Sequence, residues 1–126
     1  MILVDSDVLI CHLRGAERAK DWLRDAAERE VLAISAVSVA EITGGMRSPE
    51  RRGVWGLLST LETIPVTAAI ARRAGELQRQ YRRSHSGIGV ADYLIAATAL
   101  DNGCELATLN VKHFPMFADL APPFRL

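Results

Sequence analysis

The sequence predicts an α/β fold, a three-layer α/β/α sandwich around a mostly parallel sheet of four to five strands. Three observations carry this. Short apolar runs at residues 1–4, 31–34, 63–66 and 105–109 alternate with segments of helical period. The intervening segments are long enough for the crossover helices that parallel strands require. Runs of this kind lack the polar alternation of a half-exposed sheet, so both sheet faces are expected to be covered.

Each element has its own signals. Met1 to Val4 reads as a buried strand ending at Asp5, and the period turns helical from Asp7 to about Arg14, with Val8, Leu9 and Leu13 apolar. A second helix runs from about Ala16 to Glu28 with Trp22, Leu23 and Ala26 on one side. Val31 to Ile34 is the second strand. Ser35 or Ser38 opens the next helix, which Gly44-Gly45 closes. Ser48-Pro49 starts another, since proline is tolerated in a first turn, and Trp55, Leu58 and Leu61 are its apolar face. Thr63 to Val66 is a third strand, after which Thr67 caps a long helix. Ile70, Ala74, Leu77 and Tyr81 share one side of that helix, and Arg72, Glu76, Arg79 and Arg83 the other. Gly87 and Gly89 end a loop, Val90 to Asp101 is helical, and Gly103 closes it. Glu105 to Leu109 is the fourth strand, and Phe124-Arg-Leu126 offers a fifth, short edge strand after a proline-broken tail.

At 126 residues the chain is expected to be one domain, 1–126. Hydrophobic residues make up 49%, enough for a core without a disulfide or metal staple. Fifteen basic residues balance fifteen acidic ones, so the molecule as a whole does not attract polyanions. Any such ligand needs a local patch or a bound cation. Cys11 and Cys104 have no metal-ligand spacing and read as reduced core residues. No targeting run is found and no apolar stretch reaches the roughly 20 residues of a bilayer span. A cytoplasmic protein without a membrane segment is expected.

Three acids stand where an apolar run hands over to a helix: Asp5, Glu41 and Asp92. Right-handed crossovers bring the carboxyl ends of all strands to one edge, where open α/β sheets bind ligands. Asp5 and Glu41 reach that edge by topology; Asp92 reaches it if its helix packs suitably. Each acid also has a plain structural explanation. Asp5 caps a helix, Ser38-Val-Ala-Glu41 matches a capping box, and Asp92 lies in a first turn, where negative charge is favoured. Jointly they leave a residue unexplained. Glu41 and Asp92 lie in apolar segments without Lys or Arg, and a buried carboxylate costs several kcal/mol unless paired. Oxygen ligands without His or Cys favour Mg²⁺ or Mn²⁺. Asn110, at the end of strand four, offers an uncharged oxygen or a simple turn. Asp7 either caps the first helix or points into the crevice, the cap being favoured, and His113 reads as a surface imidazole.

Four segments together resemble the PIN-domain ribonucleases, in particular the VapC-type toxins of toxin–antitoxin pairs. They are Val4-Asp-Ser-Asp-Val-Leu-Ile10, Ser35 through Glu41-Ile42, Gly89-Val-Ala-Asp-Tyr-Leu-Ile-Ala-Ala97 and Thr108-Leu-Asn-Val-Lys-His-Phe114. The resemblance implies a sandwich whose acids Asp5, Glu41 and Asp92 hold Mg²⁺ or Mn²⁺ and carry the hydrolysis of RNA. Many relatives have Asp at the place of Asn110, so a neutral ligand there puts a second ion in doubt. The resemblance also implies a homodimer and an antitoxin that blocks the crevice. For phosphate contacts the candidates are Arg47 with its neighbours and the stripe Arg72, Arg79 and Arg83, although each reads more readily as a solvated, ion-paired surface.

Two rival readings remain. Asp5-Ser-Asp7 after a strand also resembles the nucleophile motif of haloacid-dehalogenase phosphatases, although the acidic pair of that chemistry is missing. A PIN-like module that binds RNA or protein without cutting is the non-enzymatic rival.

Overall fold

A computed structural model describes residues 1–126. Its elements are β1 (Ile2–Val4), α1 (Ser6–Leu13), α2 (Glu17–Arg29), β2 (Leu32–Ser35), α3 (Ala36–Gly45), α4 (Arg51–Leu58), β3 (Glu62–Ile64), α5 (Ala68–Tyr81), α6 (Val90–Asp101) and β4 (Glu105–Ala107). Single 3₁₀ turns cover Ser48–Glu50 and Val111–His113.

All four strands are parallel, in the order β3-β2-β1-β4. Side chains alternate between faces along a strand, and the core divides accordingly. Leu3, Ala33 and Leu106 face a cluster with Ile70, Ala74, Tyr93, Ile95 and Phe114, from α5, α6 and the tail. Ile2, Val4, Leu32, Ile34 and Ala107 face the other way, against Val8, Leu9, Leu23, Ile42, Val54 and Leu58 from α1 to α4. Two cores back to back on one sheet are the three layers.

Caps set several boundaries. Ser35 Oγ accepts from the Val37 amide and opens α3; Thr67 Oγ1 accepts from the Ile70 amide and opens α5. Gly87, at φ +88°, takes the left-handed backbone that glycine adopts freely and turns the chain from α5 towards α6.

Three expectations are corrected. Phe124-Arg-Leu126 forms no fifth strand: Phe124 packs on the α1–α4 core, and the Arg125 carbonyl accepts from Arg18 Nη1 at 2.8 Å. That tail is held by a side chain instead of a ladder. Trp55 is not on the buried face of α4 but 47% exposed. The 3₁₀ turn delays the α-helix to Arg51, and the inward pair is Val54 with Leu58, four residues apart. Ser38 does not begin a capping box with Glu41, because α3 has already begun at Ala36; Ser38 Oγ is buried without a partner.

Candidate metal centre at the carboxyl edge of the sheet

Asp5 leaves the central strand β1 and is 5% exposed. Its amide donates to the Ala107 carbonyl at 2.9 Å, so its backbone still belongs to the sheet. Its carboxylate caps α1 through Oδ1, which accepts from the Ser6 amide at 2.8 Å. The other oxygen, Oδ2, accepts from Thr108 Oγ1, also at 2.8 Å. Thr108 is fully buried at the exit of β4. The adjacency of β1 and β4 therefore brings residues 5 and 108 into contact.

From this pair one hydrogen-bonded chain reaches every acid that the sequence singles out. Ser6 Oγ donates to Glu41 Oε1 at 3.3 Å. On the other side the Asn110 amide donates to Thr108 Oγ1 at 3.1 Å. The Asn110 side chain lies 2.8 Å from His113 Nδ1, and Asp92 Oδ2 lies 3.0 Å from the same nitrogen. Nδ1 donates to Asp92 only if it carries the proton, and Asn110 must then turn its amide oxygen towards the ring. Asp5, Glu41, Asp92 and Asn110 thus share one edge and one network. No three acidic or imidazole groups converge as ready-made ligands of a single point. Like-charged groups held by hydrogen bonds stand apart.

Burial is graded across the cup. Asp5 is buried, Asp92 half-buried and Glu41 exposed on the outer side of α3. The expectation that Glu41 sits in a buried segment is therefore corrected; only Ile42, beside it, points into the core. Loss of solvent, first, and the Asp7 charge, second, push the Asp5 carboxyl up to about 7 despite the bonds from Thr108 and Ser6; Asp92 adds to the rise. Asp7 is raised chiefly by burial. Glu41 is raised by partial desolvation, and the charges of Asp92 and Asp7 add to this. No Lys or Arg pairs with any of these acids. Hard oxygen donors, excess negative charge and raised carboxyls are what a divalent cation would relieve, so the residues fit such an ion in charge and donor type.

Several participants escaped the sequence reading. Thr108 joins the network at its centre and Ser6 carries it to the rim. His113 is not a free surface imidazole but the link to Asp92. Asp7 is not a cap: its Oδ2 accepts from the Leu109 amide at 3.1 Å and lies 3.2 Å from Thr108 Oγ1. A polar side chain two residues after Asp5, and a threonine directly after an apolar strand, were the available signals.

The arginines form no ion pairs with the acids. Arg47 is bound to Glu50, Nε to Oε1 at 3.1 Å. Arg73 pairs with Asp101 at the far end of α6. Arg72 therefore stands at the end of the α5–α6 pair away from Asp92, while Arg79 and Arg83 lie towards the other end, and all three are exposed. The largest open concavity, about 650 Å³, lies at the opposite edge of the sheet between the starts of β2 and β3 and touches none of these groups.

The chain is similar to known proteins along nearly its whole length. The PIN domain family matches residues 2–119. The chain is 62% identical over 124 residues to Ribonuclease VapC10 of Mycobacterium tuberculosis, covering 98% of this chain and 93% of the relative. It is 42% identical over 125 residues to Ribonuclease VapC19 of the same species, covering 98% and 100%. In three dimensions it superposes on a toxin–antitoxin complex from Klebsiella pneumoniae with a TM-score of 0.84 at 28% identity, over the full length of both chains. By sequence as well as by shape, this chain belongs to the PIN-domain family, on its VapC branch.

Proposed function

We propose that this chain is a metal-dependent endoribonuclease and the toxin of a toxin–antitoxin pair, with Mg²⁺ or Mn²⁺ held by Asp5, Glu41 and Asp92 and weakly by Asn110. The VapC relatives are named ribonucleases, and the family excludes the phosphatase reading. The observation that carries the site is the single hydrogen-bonded chain joining the four residues at the carboxyl edge.

A divalent ion there supplies Lewis acidity towards a phosphodiester and lowers the pKa of water. The residues divide the remaining work. Asp5, locked by Ser6 and Thr108, is the fixed centre. His113 orients Asp92 and Asn110. Glu41, exposed and held by one 3.3 Å bond, closes on the others by side-chain rotation at least cost. Arg79 and Arg83 lie towards the acid-bearing end of α6 and are the phosphate contacts favoured here. Arg72 is too far along the helix, and Arg47 must first leave Glu50.

The antitoxin reading is supported by the Klebsiella neighbour, which is a toxin–antitoxin complex. Beside Glu41 a groove of about 150 Å³, lined by Ile10, Leu13, Ile42, Met46 and Val54, suits a partner segment laid against the crevice. A homodimer and a cytoplasmic location complete the proposal; no helix is long and apolar enough to cross a membrane.

The test is incubation of purified protein with total RNA, with and without Mn²⁺, followed by mapping of new ends. New ends should require Mn²⁺ and vanish in Asp92→Asn, which should stay folded. Equal cutting by Asp92→Asn would remove that residue from the site. No cutting by the wild type, with RNA still bound, would leave a binding module.

A further inference from the structure

Asp7 is the acid that the function above leaves unused. Its Oδ2 is held by the Leu109 amide. Thr108 has one hydroxyl proton, and the shorter contact, 2.8 Å against 3.2 Å, gives it to Asp5. Asp7 Oδ1 is buried and has no hydrogen-bond partner. Of the four buried side-chain polar atoms without a partner, Asp7 Oδ1 alone belongs to an acid, and Thr108 joins that acid to Asp5.

Fastening the exit of β4 does not require a charge. An asparagine oxygen also accepts from the Leu109 amide, less strongly than a carboxylate, and would not repel Asp5. Thr108 Oγ1 touches both carboxylates, Asp5 at 2.8 Å and Asp7 at 3.2 Å, so Asp7 stands directly beside the centre of the cup. A carboxylate here is unfavourable unless a cation offsets it. Asn110, on the turn that Asp7 fastens, supplies an oxygen but no charge.

We propose that Asp7 is the fourth acid of the cup, its free Oδ1 directed to the cation and supplying the negative charge that Asn110 does not. The proposal rests on the metal-dependent reading above and adds a residue to it.

Titration calorimetry of Mn²⁺ into the full-length protein tests it without RNA. Asp7→Asn, nearly isosteric, should weaken Mn²⁺ binding at least about tenfold, on the scale of losing a strong metal partner. Its metal-free melting temperature should equal or exceed the wild type's, since repulsion is relieved. Adding Asn110→Asp to Asp7→Asn should restore most of the affinity by returning the charge from the other strand end. If Asp7→Asn does not fold, Asp7→Ser, which removes the charge and leaves a small polar side chain, should show the same weakening. Wild-type Mn²⁺ affinity in a folded Asp7→Asn would overturn the proposal and leave Asp7 a fastening residue. Failure of Asn110→Asp to restore binding would overturn the exchange of charge. No Mn²⁺ binding by the wild type would overturn the underlying metal reading, and this proposal with it.

Discussion

Both edges of the sheet collect carboxylates, with opposite outcomes. At the amino edge Glu62 and Glu105 are exposed, and Glu30 meets the N-terminal ammonium at 2.6 Å. Water and a mobile cation satisfy these groups, and exposed pairs of this kind contribute little to stability. At the carboxyl edge the acids are linked to one another through Ser6, Thr108 and His113, with no lysine or arginine among them. The same residue type is ordinary surface in one place and stored repulsion in the other. The difference lies in burial and in the absence of a partner, not in the number of acids.

The contrast breaks most sharply under neutralisation. Asp5→Asn should reduce RNA cleavage roughly a hundredfold or more, because it removes the fixed centre of the site. Glu30→Gln, at the other edge, should leave cleavage unchanged. Equal effects in a cleavage assay would mean that the edges do not differ in function.

Stability against pH sharpens it further. The Asp5 carboxyl moves from 3.8 to about 7 on folding, so the folded state holds this proton more tightly. Its contribution is complete below about pH 4 and is lost as pH rises through about 7. Asp7 and Glu41, also raised, act in the same direction. Metal-free protein should therefore melt at progressively lower temperature across this window. Millimolar Mn²⁺ should reverse much of the loss at the upper end, since a ligand of the folded state stabilises it by mass action. Melting curves that are flat with pH and insensitive to Mn²⁺ would place the acids among ordinary surface groups. The smallest effect is expected at Arg79→Ala and Arg83→Ala. Each should raise KM for RNA about fivefold, the scale of one exposed charge contact, with kcat little changed. A fall in kcat alone would place these arginines at the reacting atoms.

Strands, helices and the edge they define were legible because they follow from local pattern. Asp5 stands out because an apolar run ends on it, and Asp92 because its first turn leads into the apolar Tyr93-Leu-Ile. The roles of Thr108 and His113 were not legible, and for Asp7 the sequence favoured the cap over the crevice. Their bonds span 101 to 103 residues for Thr108 and Asp7, and 21 for His113 to Asp92. Such bonds depend on β4 lying against β1, an order that no window of sequence states. Glu41 was placed on the right edge but given too much burial, since an apolar helix still has an outer side. Trp55 failed for a related reason, a 3₁₀ turn that shifted the phase of α4.

The pairing of residue 5 with residue 108 has a consequence for how the protein is made. Chains emerge from the ribosome amino end first, so β1 is synthesised about a hundred residues before the strand that completes its far side. Until β4 is available, Asp5 lacks both the Ala107 carbonyl that seats its backbone and the hydroxyl that orients its carboxylate. A nascent chain therefore carries most of the candidate site without its assembly, and the translating ribosome is spared a finished ribonuclease until synthesis is nearly over.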